Sequence, residues 1–186
     1  MSGKNQKHRG TILMRMFYPD RREKSAYTID YADLYRKGYR GVIFDIDNTL
    51  VPHGAPATKE AAAFFASLRE TGFSTCLLSN NQKPRVAPFA DAVGSIYIEN
   101  AHKPSVKNYQ EACRRMGIKE EQAVFVGDQL FTDVYGAKRT GLYNILTEPI
   151  NPKEEIQIVL KRYLEHIVLF FYERDLARGR ITKKNS

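Results

Sequence analysis

The sequence predicts an α/β fold, a mainly parallel sheet of five strands wrapped by helices, and three observations carry that expectation. Short β-branched apolar runs alternate along the chain with longer segments of helical spacing. Each run is too short and too continuously apolar to be a surface strand, as in Gly41–Ile46 and Phe73–Leu78. Gly72, Gly94, Gly117 and Gly141 close off the first four long helical segments, where a left-handed exit is needed. At 186 residues, 42% of them hydrophobic, the chain has material for one core rather than two.

The elements follow in order. A short helix from Asp30 to Lys37, stopped by Gly38, leads into the strand Gly41–Ile46. Further strands are expected at Phe73–Leu78, Ser95–Ile98, Ala123–Val126 and Leu142–Leu146. Between and after them lie helices at Lys59–Glu70, Pro84–Ala92, Ser105–Met116, Thr132–Thr140 and Pro152–Tyr172. The last is the most periodic, with Ile156, Val159, Leu160, Tyr163, Leu164, Ile167, Val168 and Phe171 spaced by three and four. Its end, Ile167 to Tyr172, is apolar on every side. That surplus suits packing against the aromatic segment Met14–Tyr18, or a membrane-interface or dimer contact.

Net charge is +8, divided as +6 over residues 1–40, −2 over 41–102, +1 over 103–172 and +3 over 173–186. The division suggests a basic and aromatic extension (1–40) packed on a main domain (41–172), followed by a basic tail (173–186). Basic ends suit solubility or an anionic partner such as a membrane surface or nucleic acid. No run approaches the length of a transmembrane helix, and the polar start Ser2–Gly10 lacks the apolar core of a secretory signal, so a cytoplasmic protein is expected. The two cysteines, Cys76 and Cys113, have neither metal-ligand spacing nor the density of a disulfide scaffold, and read as reduced packing residues.

Chemistry-bearing residues gather where predicted strands end. The first strand opens into Asp45-Ile46-Asp47-Asn48-Thr49, at the sheet edge where open α/β folds bind ligands. Alternation would aim Asp45 and Asp47 the same way, and the two carboxylates would repel without a cation, an arrangement suited to Mg²⁺. Alone, an Asp-x-Asp pair is equally a loop cap or a solvated pair. The second strand ends in Ser79-Asn80-Asn81, neutral donors for phosphoryl oxygens or a plain helix cap. Lys103-Pro104 stands at a helix start, where free amides favour an anion. The fourth strand delivers Gly127-Asp128, with Asp133 five residues on; these acids could also cap the next helix.

Taken in order, these motifs resemble the haloacid dehalogenase superfamily from Gly41 to Leu146, with DxDxT at Asp45–Thr49, the serine at Ser79, the lysine at Lys103 and GDxxxxD at Gly127 through Asp133. Aspartate at position 47 is the mark of its phosphatase branches. The strings Asp-Asn-Thr-Leu, Ser-Asn-Asn, His-Lys-Pro and Gly-Asp-Gln-Leu-Phe-Thr-Asp are similar to the YqeG-like group of subfamily IIIA. The resemblance implies a three-layer Rossmann-like fold and magnesium-dependent hydrolysis of a phosphomonoester through a phosphoaspartate. In that scheme Asp45 is the nucleophile and Asp47 the acid/base. Mg²⁺ is held by Asp45, the backbone carbonyl of Asp47 and Asp128, with Asp133 in support. Asn48, Thr49, Ser79, Asn80 and Lys103 serve the phosphate.

From Asp45 to Ser79 is 34 positions and from Ser79 to Lys103 is 24, which leaves no room for a large cap domain. An open site suits a substrate with its own bulk, or closure by a homo-oligomer. The family resembled includes phosphatidylglycerophosphate phosphatases, which makes a phospholipid at a peripheral membrane contact the expected substrate. A soluble phosphatase for small phosphomonoesters or phosphorylated macromolecules is the alternative. A binding protein for RNA or membrane with an idle site is less expected, and nucleic acid is not the expected partner.

Overall fold

The structure, a computed structural model, describes residues 14–151 and 156–182, with the helical backbone alone for 156–162. Runs apolar at every position need cover on both faces, and a parallel sheet between helices provides it. Six strands form that sheet: β1 (Arg21–Glu23), β2 (Gly41–Phe44), β3 (Ser74–Leu78), β4 (Ile96–Ile98), β5 (Ala123–Gly127) and β6 (Tyr143–Thr147). Their spatial order is β1-β6-β5-β2-β3-β4, and all pairings are parallel. The expected five strands become six because β1, Arg-Arg-Glu, pairs with β6 at the sheet edge, Arg21 beside Ile145 and Glu23 beside Thr147. Three polar residues on an edge carry no hydrophobic signature.

Helices α1 (Tyr31–Arg36), α2 (Lys59–Thr71), α3 (Lys83–Val93), α4 (Val106–Met116), α5 (Tyr135–Thr140) and α6 (Ile156–Ala177) complete the fold. Alternation along β2 divides the core between two layers. Val42 and Phe44 join Phe65 and Leu68 of α2 and Val86 and Phe89 of α3. Ile43 joins Tyr109, Ala112 and Cys113 of α4 and Ala137 of α5. Each large side chain so buried contributes on the order of 1.5–3 kcal/mol. The predicted helix exits Gly72, Gly94, Gly117 and Gly141 all adopt positive φ, and Thr58 caps α2 by accepting the Ala61 N–H at 3.0 Å. Cys76 and Cys113 are buried free thiols, with burial pushing both up to about 12. Among the described residues no cap domain is inserted, since residues 45–58 connect β2 to α2 and 79–82 connect β3 to α3.

Three boundaries differ from expectation by two residues or more, and the other differences are of a single residue. β2 stops at Phe44 rather than Ile46, because Asn48 turns left-handed (φ 63°) and a tight loop forms in which Leu50 N–H donates to Ile46 O. The helix expected from Thr132 is preceded by a wide π-helical turn, Leu130–Val134, that leads into α5. Helix α6 continues past Tyr172 to Ala177. Its expected start at Pro152 lies outside the described residues, as do Ser2–Gly10 and the side chains of Ile156, Val159 and Leu160.

Helix α6 has two apolar sides. Val168 and Tyr172 are buried with Tyr18, Leu130, Val134 and Leu146, against which Met14 and Phe17 also pack; the Tyr18 and Tyr172 rings meet edge to face at 5.3 Å. The opposite side presents Tyr163 (67% exposed), Leu164, Ile167 and Phe170 (65% exposed) to solvent.

Candidate active site

From β2 the chain proceeds to β3 and β4 on one side, then returns to build β5 and β6 on the other. The carboxyl ends of β2 and β5 therefore border a crevice at the point where strand order reverses. Asp45 leaves β2 there, its N–H still donating to Val126 O at 3.0 Å. Asp128 leaves β5 beside it and accepts the Thr49 hydroxyl at 3.2 Å. Ser79 follows β3, and its backbone carbonyl accepts Ala101 N–H at 2.9 Å. Left-handed Asn100 and His102 (φ 46° and 48°) turn the chain inward at Lys103. Asn80 fixes that turn by accepting Lys103 N–H at 2.7 Å.

The Lys103 ammonium donates to Asp45 Oδ1 at 2.6 Å and to Asp133 Oδ1 at 2.8 Å, all three groups being buried. Asp133 is set by the π-helical turn and accepts Gln129 N–H at 3.1 Å. Gly127 is obligatory: a Cβ there would overlap the Asp133 carboxylate. Burial pushes the Asp45 carboxyl from 3.8 up to about 6; Lys103 opposes that rise, and the charges of Asp133 and Asp47 add to it. Burial also disfavours the Lys103 charge, but Asp133 and Asp45 outweigh it and hold the ammonium above its ordinary value.

One oxygen each of Asp45, Asp128 and Asp133 lies within 4.8 Å of the others. Three buried carboxylates against one ammonium leave an excess of negative charge, and an all-oxygen donor set suits a hard divalent cation such as Mg²⁺. The residues present therefore fit the metal that the sequence resemblance implies.

Asp47 sits apart from this cluster. Asp45, Asp47, Asn48, Ser79, Asn80 and Lys103 all line a cleft of about 150 Å³. The Asp47 carboxylate, however, accepts Asn81 Nδ2 at 2.6 Å, Arg85 Nη2 at 2.8 Å and Gly54 N–H at 2.8 Å. Thr49 is buried behind the cleft against Asp128. The Ser79 hydroxyl accepts Asn81 N–H at 3.1 Å, which leaves its proton available to a ligand. Sequence reasoning missed Arg85, Asn81 as a partner of Asp47, and His53, Gln129 and Thr132 as further lining. Asn81 stood within the Ser-Asn-Asn string; nothing local marks Arg85.

A fold with acids, a lysine and a hydroxyl converging on such an edge defines a class. The haloacid dehalogenase-like hydrolase family matches residues 54–141. Among curated proteins, the probable phosphatase YqeG of Bacillus subtilis is 34% identical over 88% of this chain and 95% of its own length. A phosphatidylglycerophosphate phosphatase 1 of Arabidopsis thaliana is 29% identical over 81% of this chain, which spans 46% of that protein. A solved structure of a hypothetical protein from Xanthomonas campestris is 16% identical, covering 86% of this chain and 98% of its own, with a TM-score of 0.49. The chain belongs to the YqeG-like phosphatases of the haloacid dehalogenase-like hydrolases. It is a phosphatase.

Proposed function

We propose that the chain hydrolyses a phosphomonoester in two steps through Asp45, and that its substrate is phosphatidylglycerophosphate at a membrane surface. The observation that carries the chemistry is the buried cluster of Asp45, Lys103, Asp133 and Asp128 at the strand-order reversal. An Asp45 oxygen attacks phosphorus as the bond to the leaving oxygen breaks, and Asp47 gives that oxygen a proton. Asp47 then takes a proton from water, whose oxygen attacks phosphorus and releases phosphate and the Asp45 carboxylate. Ser79, Lys103, Asn48 and Asn80 hold the phosphoryl oxygens, and Thr49 steadies Asp128. Magnesium, held by Asp45, Asp128 and the Asp47 backbone carbonyl with Asp133 in support, supplies charge neutralisation when bound.

Three observations support the lipid. Among the described residues no cap domain covers the cleft, which admits a headgroup that stays in its bilayer. A second cavity of about 370 Å³ touches Asp128 and is lined by Leu130, Leu146 and Leu169 together with Arg22 and His166. The outer stripe of Tyr163, Leu164, Ile167 and Phe170 offers a peripheral seat on a membrane. No helix among the described residues is long and apolar enough to cross a membrane, so contact on this reading is peripheral, at the cytoplasmic face. The test is phosphate release from phosphatidylglycerophosphate embedded in liposomes. Magnesium-dependent release by the wild type and none by Asp45→Asn are expected. Turnover confined to soluble sugar phosphates or nucleotides, unaffected by anionic liposomes, would replace the lipid with a soluble substrate.

A further inference from the structure

Arg85 is the cation nearest the proposed acid/base that the two-step chemistry leaves without a task. It stands in the first turn of α3, six residues beyond Ser79, with its side chain only 21% exposed. Its Nη2 donates to Asp47 Oδ1 at 2.8 Å, its guanidinium lies over the Phe89 ring at 5.6 Å, and its buried Nε has no hydrogen-bond partner. A guanidinium half-buried for one bond to one carboxylate oxygen is an expensive way to build a surface staple.

The two oxygens of Asp47 are held unequally. Oδ1 takes a charge-assisted bond from Arg85 and the Gly54 N–H, whereas Oδ2 takes the neutral amide of Asn81. Both bonds gain from the carboxylate's charge, but Arg85 alone brings a full opposite charge and Gly54 a fixed backbone N–H, so the Asn81 side-chain amide is the partner to yield when a ligand arrives. We infer that Arg85 is a positioning residue: it anchors Asp47 by Oδ1 so that Oδ2, released by Asn81, exchanges its proton with the leaving oxygen. The inference rests on Asp47 being the acid/base.

An anchor for proton transfer matters in proportion to how badly the leaving group needs a proton. The experiment compares an alkyl phosphomonoester, glycerol 3-phosphate, with p-nitrophenyl phosphate, whose leaving group departs as a stable anion. Both are assayed with magnesium on wild type, Arg85→Gln and Arg85→Lys. Proton transfer by a placed group contributes about 10²- to 10⁴-fold, so Arg85→Gln is expected to lose at least about tenfold in kcat on the alkyl ester while staying within about threefold on the aryl ester. Arg85→Lys, which keeps a cation, recovers part of the alkyl rate. A parallel fall on both esters, as a purely structural tie between α3 and the 47–54 loop would produce, overturns the inference, and so does an unchanged alkyl rate. Both of those results leave the phosphatase reading standing. Phosphatidylglycerophosphate in liposomes serves as the alkyl ester if glycerol 3-phosphate is not turned over, and a wild type inactive on the lipid and on both soluble esters would overturn that reading and the inference together.

Discussion

The crevice between β2 and β5 and the outer side of α6 break the usual rule of burial in opposite directions. In the crevice, Asp45, Lys103, Asp128 and Asp133 are charged groups withdrawn from water; on α6, Tyr163, Leu164, Ile167 and Phe170 are apolar groups left in it. A buried charge persists only when its neighbours satisfy it, so the crevice is an interlocked set in which each residue depends on the others. An exposed apolar side chain depends on nothing within the chain, and its cost is relieved only from outside. The first region therefore bears on the proposed chemistry and the second on the proposed membrane contact. Substitutions should separate the two sharply.

The largest effect is expected at Lys103. Replacing it by Met leaves Asp45 and Asp133 facing one another without a cation, which should cost about 3–5 kcal/mol in urea unfolding; magnesium should restore part of the loss, since it addresses the same excess charge. A cost below about 1 kcal/mol would show the cluster to be less interdependent than the contacts imply.

On α6, two aromatic residues two positions apart should differ widely. Tyr172 is buried against Tyr18, so Tyr172→Ala should cost about 3 kcal/mol. Phe170 faces solvent, so Phe170→Ser should change stability by no more than about 0.5 kcal/mol while weakening binding to anionic vesicles. Equal thermal melts for the two variants would erase the distinction between the sides of the helix.

A subtler prediction concerns pH. The Asp45 carboxyl is raised from 3.8 to about 6, so the fold favours its protonated form. The stability contributed by that preference is present below about pH 4 and lost as pH climbs to about 6. Metal-free protein should lose stability across this window, and Asp45→Asn should lose less. Because a metal needs the ionised carboxylate, magnesium should raise the melting temperature more at pH 7 than at pH 5.

Much of this was legible in the sequence because the signals were local. Gly41–Phe44 and Ala123–Gly127 are apolar at every position, and the glycines behind four helices mark their exits. The short spacings from Asp45 to Ser79 and Lys103 exclude a cap. What escaped was set by tertiary position. Strand β1 is three polar residues whose pairing depends on β6, more than a hundred positions away. Arg85 reads as an ordinary helix-start cation until the 47–54 loop is folded against it. The π-helical turn at Leu130–Val134 shows no departure from helical composition; its shape goes with the Gln129 carbonyl accepting both Asp133 and Val134 N–H groups. Local pattern thus gave the acids and the lysine, while their partners needed the fold.

Everything proposed for the crevice depends on Asp45 as the group that carries the phosphoryl. Acid quenching during turnover, followed by mass spectrometry of the peptides, tests it directly. The expected result is one phosphoryl group on the Asp45 peptide, labile to hydroxylamine and absent from Asp45→Asn. Steady phosphate release with no label at Asp45, or undiminished release by Asp45→Asn, would contradict it.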